Sequence, residues 1–151
     1  MVKFIVFLIL FSLDLNANAT SLRDSIVNYA KSLIGTPYHY GGRTCSGFDC
    51  SGFVYHVFKK YNQSVPRVSA AYQNFGERRT LKDCEPADII VFTGTNSKVK
   101  KPGHIGLVLK NENGTIDFIH ASSSKKHFGV TISRFNGTGY VKRFLHITSV
   151  L

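Results

Sequence analysis

Apolar residues at Leu22, Ile26, Tyr29, Ala30 and Leu33 recur at the three-to-four-residue interval of one helix face, with Ser21 suited to cap the start and Gly35 to close the end. The spacing predicts a helix from Leu22 to about Leu33. From Gly35 through Gly41-Gly42 to Gly47, glycine and proline exclude a regular element. A second helical period opens at Asp49-Cys50-Ser51 and carries Phe53, Val54, Val57, Phe58 and Tyr61 on one face; Ser69 to Asn74 predicts a short third helix. From Ala87 onward the pattern changes to short β-branched or aromatic runs, at Ile89 to Phe92, His104 to Leu109, Thr115 to His120, Val130 to Ile132 and Tyr140 to Ile147. Asn111 to Gly114 reads as a hairpin turn and the polar, basic stretch 96–102 as an exposed loop. Helices first and strands second indicate an α+β domain, its helices packed on a C-terminal antiparallel sheet of about five or six strands.

Composition narrows the class. A chain of 151 residues that is 43% hydrophobic and 19% charged is one globular domain, neither disordered nor fibrous. Lys3, the apolar run from Phe4 to Leu13 and the small-residue site Ala17-Asn18-Ala19 predict a secretory signal over 1–19, cut after Ala19, with a single domain over 20–151. The run is about half the roughly 20 residues that a membrane span requires, so no span is expected. An exported protein, periplasmic or extracellular, is the expectation. Nineteen lysines and arginines against nine acidic residues give a net charge of +10, and losing Lys3 and Asp14 with the signal leaves it unchanged. Such a domain is drawn to anionic surfaces, and after export these are wall polymers or headgroups rather than nucleic acid. The basic residues fall in short clusters (Lys59-Lys60, Arg78-Arg79, Lys98 to Lys101, Lys125-Lys126) from which no groove can be drawn.

Three cysteines are an odd number for an exported chain, so at least one remains a thiol or bridges to another molecule. Cys50 sits between a glycine-rich loop and a helix start, where unpaired N–H groups and the helix dipole favour an anion and would lower a thiol's pKa. The same amides could form half of an oxyanion hole. Position alone equally suits a small core residue. A cysteine nucleophile needs a base, and the base an orienting partner. Of the six histidines, His104 begins one predicted strand and His120 ends the next, each eight residues from Glu112. An odd-length turn about Glu112 would make them cross-strand neighbours on one face; a two- or four-residue turn would shift the register. His39, His56, His127 and His146 have no such relation and read as structural or peripheral.

Gly35-Thr36-Pro37-Tyr38-His39-Tyr40-Gly41-Gly42, Phe48-Asp49-Cys50-Ser51-Gly52-Phe53-Val54, Pro66-Arg67-Val68-Ser69 with Gln73, Pro86-Ala87-Asp88-Ile89, Gly103-His104-Ile105-Gly106 and Phe118-Ile119-His120-Ala121-Ser122 follow one another along the chain. Together they resemble the successive motifs of the NlpC-type cell-wall peptidases, papain-like cysteine hydrolases. The resemblance implies a papain-like fold with Cys50 as nucleophile, His104 as base and acid, and His120 orienting His104. It also implies a Tyr38 hydroxyl at the oxyanion site, and a pocket for the substrate's free amino end lined by Asp49 and Ser51, with Arg67 and Ser69 nearby. The substrate class it implies is the D-γ-glutamyl–diamino acid bond of peptidoglycan stem peptides, with no metal or organic cofactor and a monomer assumed. Many relatives carry a wall-binding domain or a lipid-attached cysteine; neither is expected here, where Ala19 is followed by Thr20-Ser21.

Cys45 and Cys84 lie outside these motifs and are expected to pair with each other across the glycine-rich loop in an oxidising compartment; a zinc site is disfavoured by the lack of a C-x-x-C spacing. Two other readings of the chain stay open, a related amidase or acyltransferase on the same scaffold and a catalytically idle basic wall-binding domain.

Overall fold

A computed structural model describes residues 22–151. The secretory segment expected over 1–19, its cleavage point and the capping Ser21 lie outside the described residues. Helix α1 covers residues 22–32. The turn-rich stretch after it holds one small hairpin, β1 (Arg43–Thr44) and β2 (Gly47–Phe48), where glycine content had excluded any pairing. Then come α2 (Cys50–Lys59), a 3-10 helix (Ser69–Asn74), β3 (Glu77–Arg79), β4 (Ile89–Thr93), β5 (Pro102–Glu112), β6 (Thr115–Ser122), β7 (Gly129–Arg134), α3 (Tyr140–Arg143) and β8 (Phe144–Ser149). The last strand is shorter than its apolar pattern predicts. Thr138 receives the N–H groups of Tyr140 and Val141 and starts a helical turn there. Among the described residues no helix is long and apolar enough to cross a membrane.

The six strands pair antiparallel throughout in the order β3-β8-β4-β5-β6-β7. Both faces are covered, which is why Ile89 to Phe92 reads as an unbroken apolar run rather than an alternating one. One face, with Ile89, Val91, Ile105, Leu107 and Ile119, packs in one cluster with Ile26 and Ala30 of α1 and Phe53, Val57 and Phe58 of α2. The other, with Ile90, Phe92, Val108, Ile116 and Phe118, is closed by Phe135, Cys84 and the half-buried Tyr140. Each fully buried large side chain contributes on the order of 1.5–3 kcal/mol. Arg23 fastens α1 to the sheet, donating to Asp88 Oδ1 at 2.9 Å, to the Pro86 carbonyl at 2.7 Å and to Ser149 Oγ at 3.0 Å.

The β5–β6 register matters most for the site. The hairpin turns on two residues, Asn113 and Gly114, whose φ values of 52° and 85° are the left-handed pair of a type I′ turn. That even-length turn alone would put His104 and His120 on opposite faces. A bulge between Val108 and Lys110 adds one residue, Leu109, to β5 and restores the parity. Leu107 then lies opposite Ile119, so Gly106 lies opposite His120, and His104 is its diagonal neighbour on the same face. The expected odd-length turn is thus absent, and the bulge supplies the same effect.

Candidate active site

Cys50 is the first residue of α2 and is 9% exposed. Asp49 caps the helix, its Oδ1 accepting the Gly52 N–H at 2.6 Å. Glycine is required at 52, because a Cβ there would stand 1.9 Å from the Gly42 carbonyl oxygen. This close approach holds the glycine-rich loop over the first turn of α2. Burial pushes the Cys50 thiol up; the Ile105 N–H opposes this, Asp49 adds to it, and the N–H groups of Ser51 and Cys50 itself pull back down. The lowered pKa expected from a helix start is therefore not what the site produces. Burial outweighs the amides, and the resting group is a protonated thiol at neutral pH.

Ile105 is one residue beyond His104, which places the start of β5 against Cys50. His104 Nε2 lies 2.9 Å from His120 Nδ1 with the two rings at 88° to each other. His120 is fully buried, and its Nε2 lies 2.9 Å from Ser133 Oγ on β7 and 3.5 Å from the Tyr140 hydroxyl on α3. Phe92, Phe118 and Tyr140 pack around the pair. Burial holds His104 well below the ordinary histidine range, with His120 and Arg143 adding to the effect. Burial likewise holds His120 down, to about 3, with Arg143 and His127 contributing. Both imidazoles are neutral. Gly106 makes the diagonal contact possible: a Cβ there would meet the Ile119 carbonyl oxygen at 2.8 Å, Phe118 Cδ2 at 2.9 Å and His120 Cβ at 3.1 Å. Ser133 and Tyr140 were not singled out from the sequence, and Gly106 only as part of the motif around His104. Their relation to His120 depends on strand register and on a helical turn read as strand.

A cleft of about 560 Å³ opens on Cys50 and is lined also by Tyr38, Tyr40, Asp49, Ser51, Arg67 and Ser69. The expected pocket residues thus share one surface. Burial raises the Tyr38 hydroxyl, and Cys50 is the next contributor, which sets the phenol beside the thiol. Asp49 is held in place within the cleft wall by several partners. Arg67 grips both its oxygens, at 3.1 and 3.2 Å, while the Gly41 N–H and the Ser51 hydroxyl also donate to it. Arg67 additionally donates to Ser51 Oγ and the Gly41 carbonyl. Ser51, Ser69 and the tyrosines Tyr38 and Tyr40 are the uncharged hydroxyl-bearing residues of the cleft wall.

The expected pairing of Cys45 with Cys84 is not formed; all three cysteines are free. Cys45, exposed on the β1–β2 turn, lies 3.7 Å from His56 of α2. Cys84 is buried in the cluster on the opposite face of the sheet, where Asn111 Nδ2 donates to its sulfur at 3.3 Å. The sheet stands between the two. His56, read as structural, bonds the Tyr29 hydroxyl at 2.9 Å, and His146 bonds the Tyr72 carbonyl at 3.1 Å. Among the described residues no group of three or more His, Cys, Asp or Glu side chains could hold a metal ion.

The family model for the NlpC/P60 family matches residues 35–149, from the glycine-rich loop to the end of β8. The chain belongs to the NlpC/P60 family. Over 127 residues it is 39% identical to the "Probable peptidoglycan endopeptidase LytE" of Bacillus subtilis (strain 168), covering 83% of this chain and 34% of that protein. Over 125 residues it is 32% identical to the "Gamma-DL-glutamyl hydrolase" of the same organism, covering 82% of this chain and 29% of that protein. The chain therefore spans about a third of the length of these relatives. The crystal structure of a NlpC/P60 family protein from Bacillus cereus superposes with a TM-score of 0.75 at 24% identity, over 85% of this chain and 40% of that one, a likeness of fold. The expected papain-like α+β architecture is the one observed.

Proposed function

We propose that this chain is an exported cysteine endopeptidase of the bacterial cell wall, hydrolysing the D-γ-glutamyl–diamino acid bond of peptidoglycan stem peptides. Cys50 is its nucleophile, His104 its base and His120 the orienting third member. The observation that carries this reading is the half-buried 2.9 Å contact between His104 Nε2 and His120 Nδ1, beside a thiol that receives the Ile105 N–H. The names of the two relatives, a probable peptidoglycan endopeptidase and a γ-DL-glutamyl hydrolase, support the substrate class. The proposal includes the secretory signal over 1–19 and one catalytic domain over 20–151.

The chemistry follows from a neutral thiol and a neutral imidazole. With His104 Nε2–H donating to His120 Nδ1, and His120 Nε2–H to Ser133 Oγ, the nitrogen of His104 left unprotonated is Nδ1. As the Cys50 sulfur attacks the glutamyl carbonyl, its proton passes to that nitrogen. The carbonyl oxygen becomes an anion, met by the N–H groups at the start of α2 and the Tyr38 hydroxyl. Collapse breaks the C–N bond, and the imidazolium returns its proton to the departing amine, leaving a thioester. Water then gives a proton to His104 and its hydroxyl to the carbonyl; the C–S bond breaks to free the acid, and the imidazolium returns that proton to the sulfur, restoring the thiol. Asp49 and Ser51, with Arg67 and Ser69 nearby, form the wall of the cleft that is proposed to receive the free amino end of the stem peptide.

A synthetic L-Ala-γ-D-Glu-diamino acid peptide tests the bond. The wild type is expected to release the diamino acid and Cys50→Ser to release none. Cleavage of a different amide or transfer to an added amine would instead favour the amidase or acyltransferase reading.

A further inference from the structure

Two of the basic clusters that look scattered in the sequence, Lys98 to Lys101 and Lys125-Lys126, are brought to one end of the molecule by the fold. Because neighbouring strands run antiparallel, the end of β4, the start of β5, the end of β6 and the start of β7 meet at one end of the sheet, the end that carries His104 and His120. The loops there, 94–101 and 123–128, present Lys98, Lys100, Lys101, Lys125 and Lys126, all exposed, and Lys142 of α3 is exposed near the start of β8. Residues 89–111 and 118–151 contain no acidic side chain at all. Of the eight acidic residues among the described ones, seven lie toward the other end, along α1, the neighbourhood of β3, the approach to β4 and the β5–β6 hairpin. The eighth, Asp49, is neutralised by Arg67. Among the described residues no ion pair engages the loop lysines.

Both loops border the cleft. Gly103, just past the first, lines it, and Lys100 and Lys101 border an adjoining hollow of about 410 Å³ with Ala70 and Gln73 of the 3-10 helix. Phe128, which ends the second loop, stands edge-on to the cleft residue Tyr38, with ring centroids 6.0 Å apart. We propose that this end of the molecule binds a linear polyanion of the cell wall, bearing phosphate or carboxylate groups, and thereby presents polymer-borne rather than free stem peptides to the cleft. The inference rests on the wall-peptide reading of that cleft. An anionic bilayer fits less well. The exposed apolar residues of the two loops, Val99 and Phe128, are single, and the Phe128 ring is already held against Tyr38, so no continuous apolar face is available for insertion.

The test is co-sedimentation of full-length Cys50→Ala with purified walls over a range of salt concentrations. Because this variant cannot form a thioester, binding is read whether or not the wall is a substrate. Combined Lys98/Lys100/Lys101/Lys125/Lys126→Gln replacement is expected to weaken binding about tenfold or more and to flatten its salt dependence. Lys82→Gln/Lys110→Gln, at the far end, is expected to bind like the parent, and circular dichroism checks that each variant is folded. Loss of parental binding after acid removal of wall phosphodiesters identifies phosphate as the ligand, and loss after amidation of wall carboxyls identifies carboxylate. The proposal is overturned if the five-lysine variant binds like the parent, if binding survives both treatments, or if phosphatidylglycerol vesicles retain the protein while walls do not.

Discussion

The imidazole of His120 has no solvent to turn to, and its two nitrogens face His104 and Ser133 at 2.9 Å each. Removing the serine hydroxyl leaves the outer N–H with only the more distant Tyr140 oxygen, and the tautomer that frees His104 Nδ1 loses its support. Ser133→Ala is therefore expected to lower kcat roughly tenfold with KM little changed, as supporting-residue losses do, and Ser133→Thr to recover much of it; an unchanged kcat would show that the serine only fills space. The same burial fixes the sign of the pH dependence. A base held well below 6.5 stays unprotonated as the pH falls through the neutral range, so kcat/KM is expected to lack an acid limb between about pH 8 and 6, where an ordinary histidine base would lose activity. Conversely, a thiol raised above 9.0 yields thiolate only at high pH. Iodoacetamide should modify Cys50 at a rate still climbing at pH 9, and a plateau below pH 7 would contradict the neutral resting pair.

Strand β5 shows how an element carries chemistry through its irregularities. Leu109 is its extra residue, and Gly106 leaves the space across which the two histidines meet. Gly106→Ala would drive a Cβ into the Ile119 carbonyl oxygen, a backbone atom that cannot rotate away. The expected outcome is a loss of about 1–3 kcal/mol in stability by thermal unfolding, with activity falling further than stability because the His104–His120 contact opens. Equal activity per folded molecule would sink this reading. The equal spacing of His104 and His120 about Glu112 was visible in the sequence, and so was Asn113-Gly114 as turn material. The bulge was not, because Val108, Leu109 and Lys110 carry no local signal that distinguishes an inserted residue from a paired one. Periodicity also located α2 and β4, whose buried faces are long and apolar. It missed β3, three residues of largely exposed charge, and extended β8 into Tyr140–Arg143, where Thr138 rather than hydrophobicity decides the conformation.

At the scale of the whole molecule, long-range pairing set the limit of what could be read. The partners of Asp49 were within reach as a group, since Asp49, Ser51 and Arg67 fall in recognisable motifs, but the neutralisation of one by another required the loop around Gly41 to fold over both. The fate of Cys45 and Cys84 depended on which face of the sheet each would occupy, and the separation of the loop lysines at 98–101 and 125–126 from the carboxylates on which ends of the strands coincide. Both are properties of topology. What the assembled molecule does is tested most directly by digesting purified peptidoglycan with the full-length protein and with Cys50→Ala and identifying the soluble products by mass spectrometry. The account predicts fragments ending in D-glutamate, together with peptides beginning at the diamino acid, from the wild type and not from Cys50→Ala. Walls left intact by the wild type, or the same fragments released by Cys50→Ala, would contradict it.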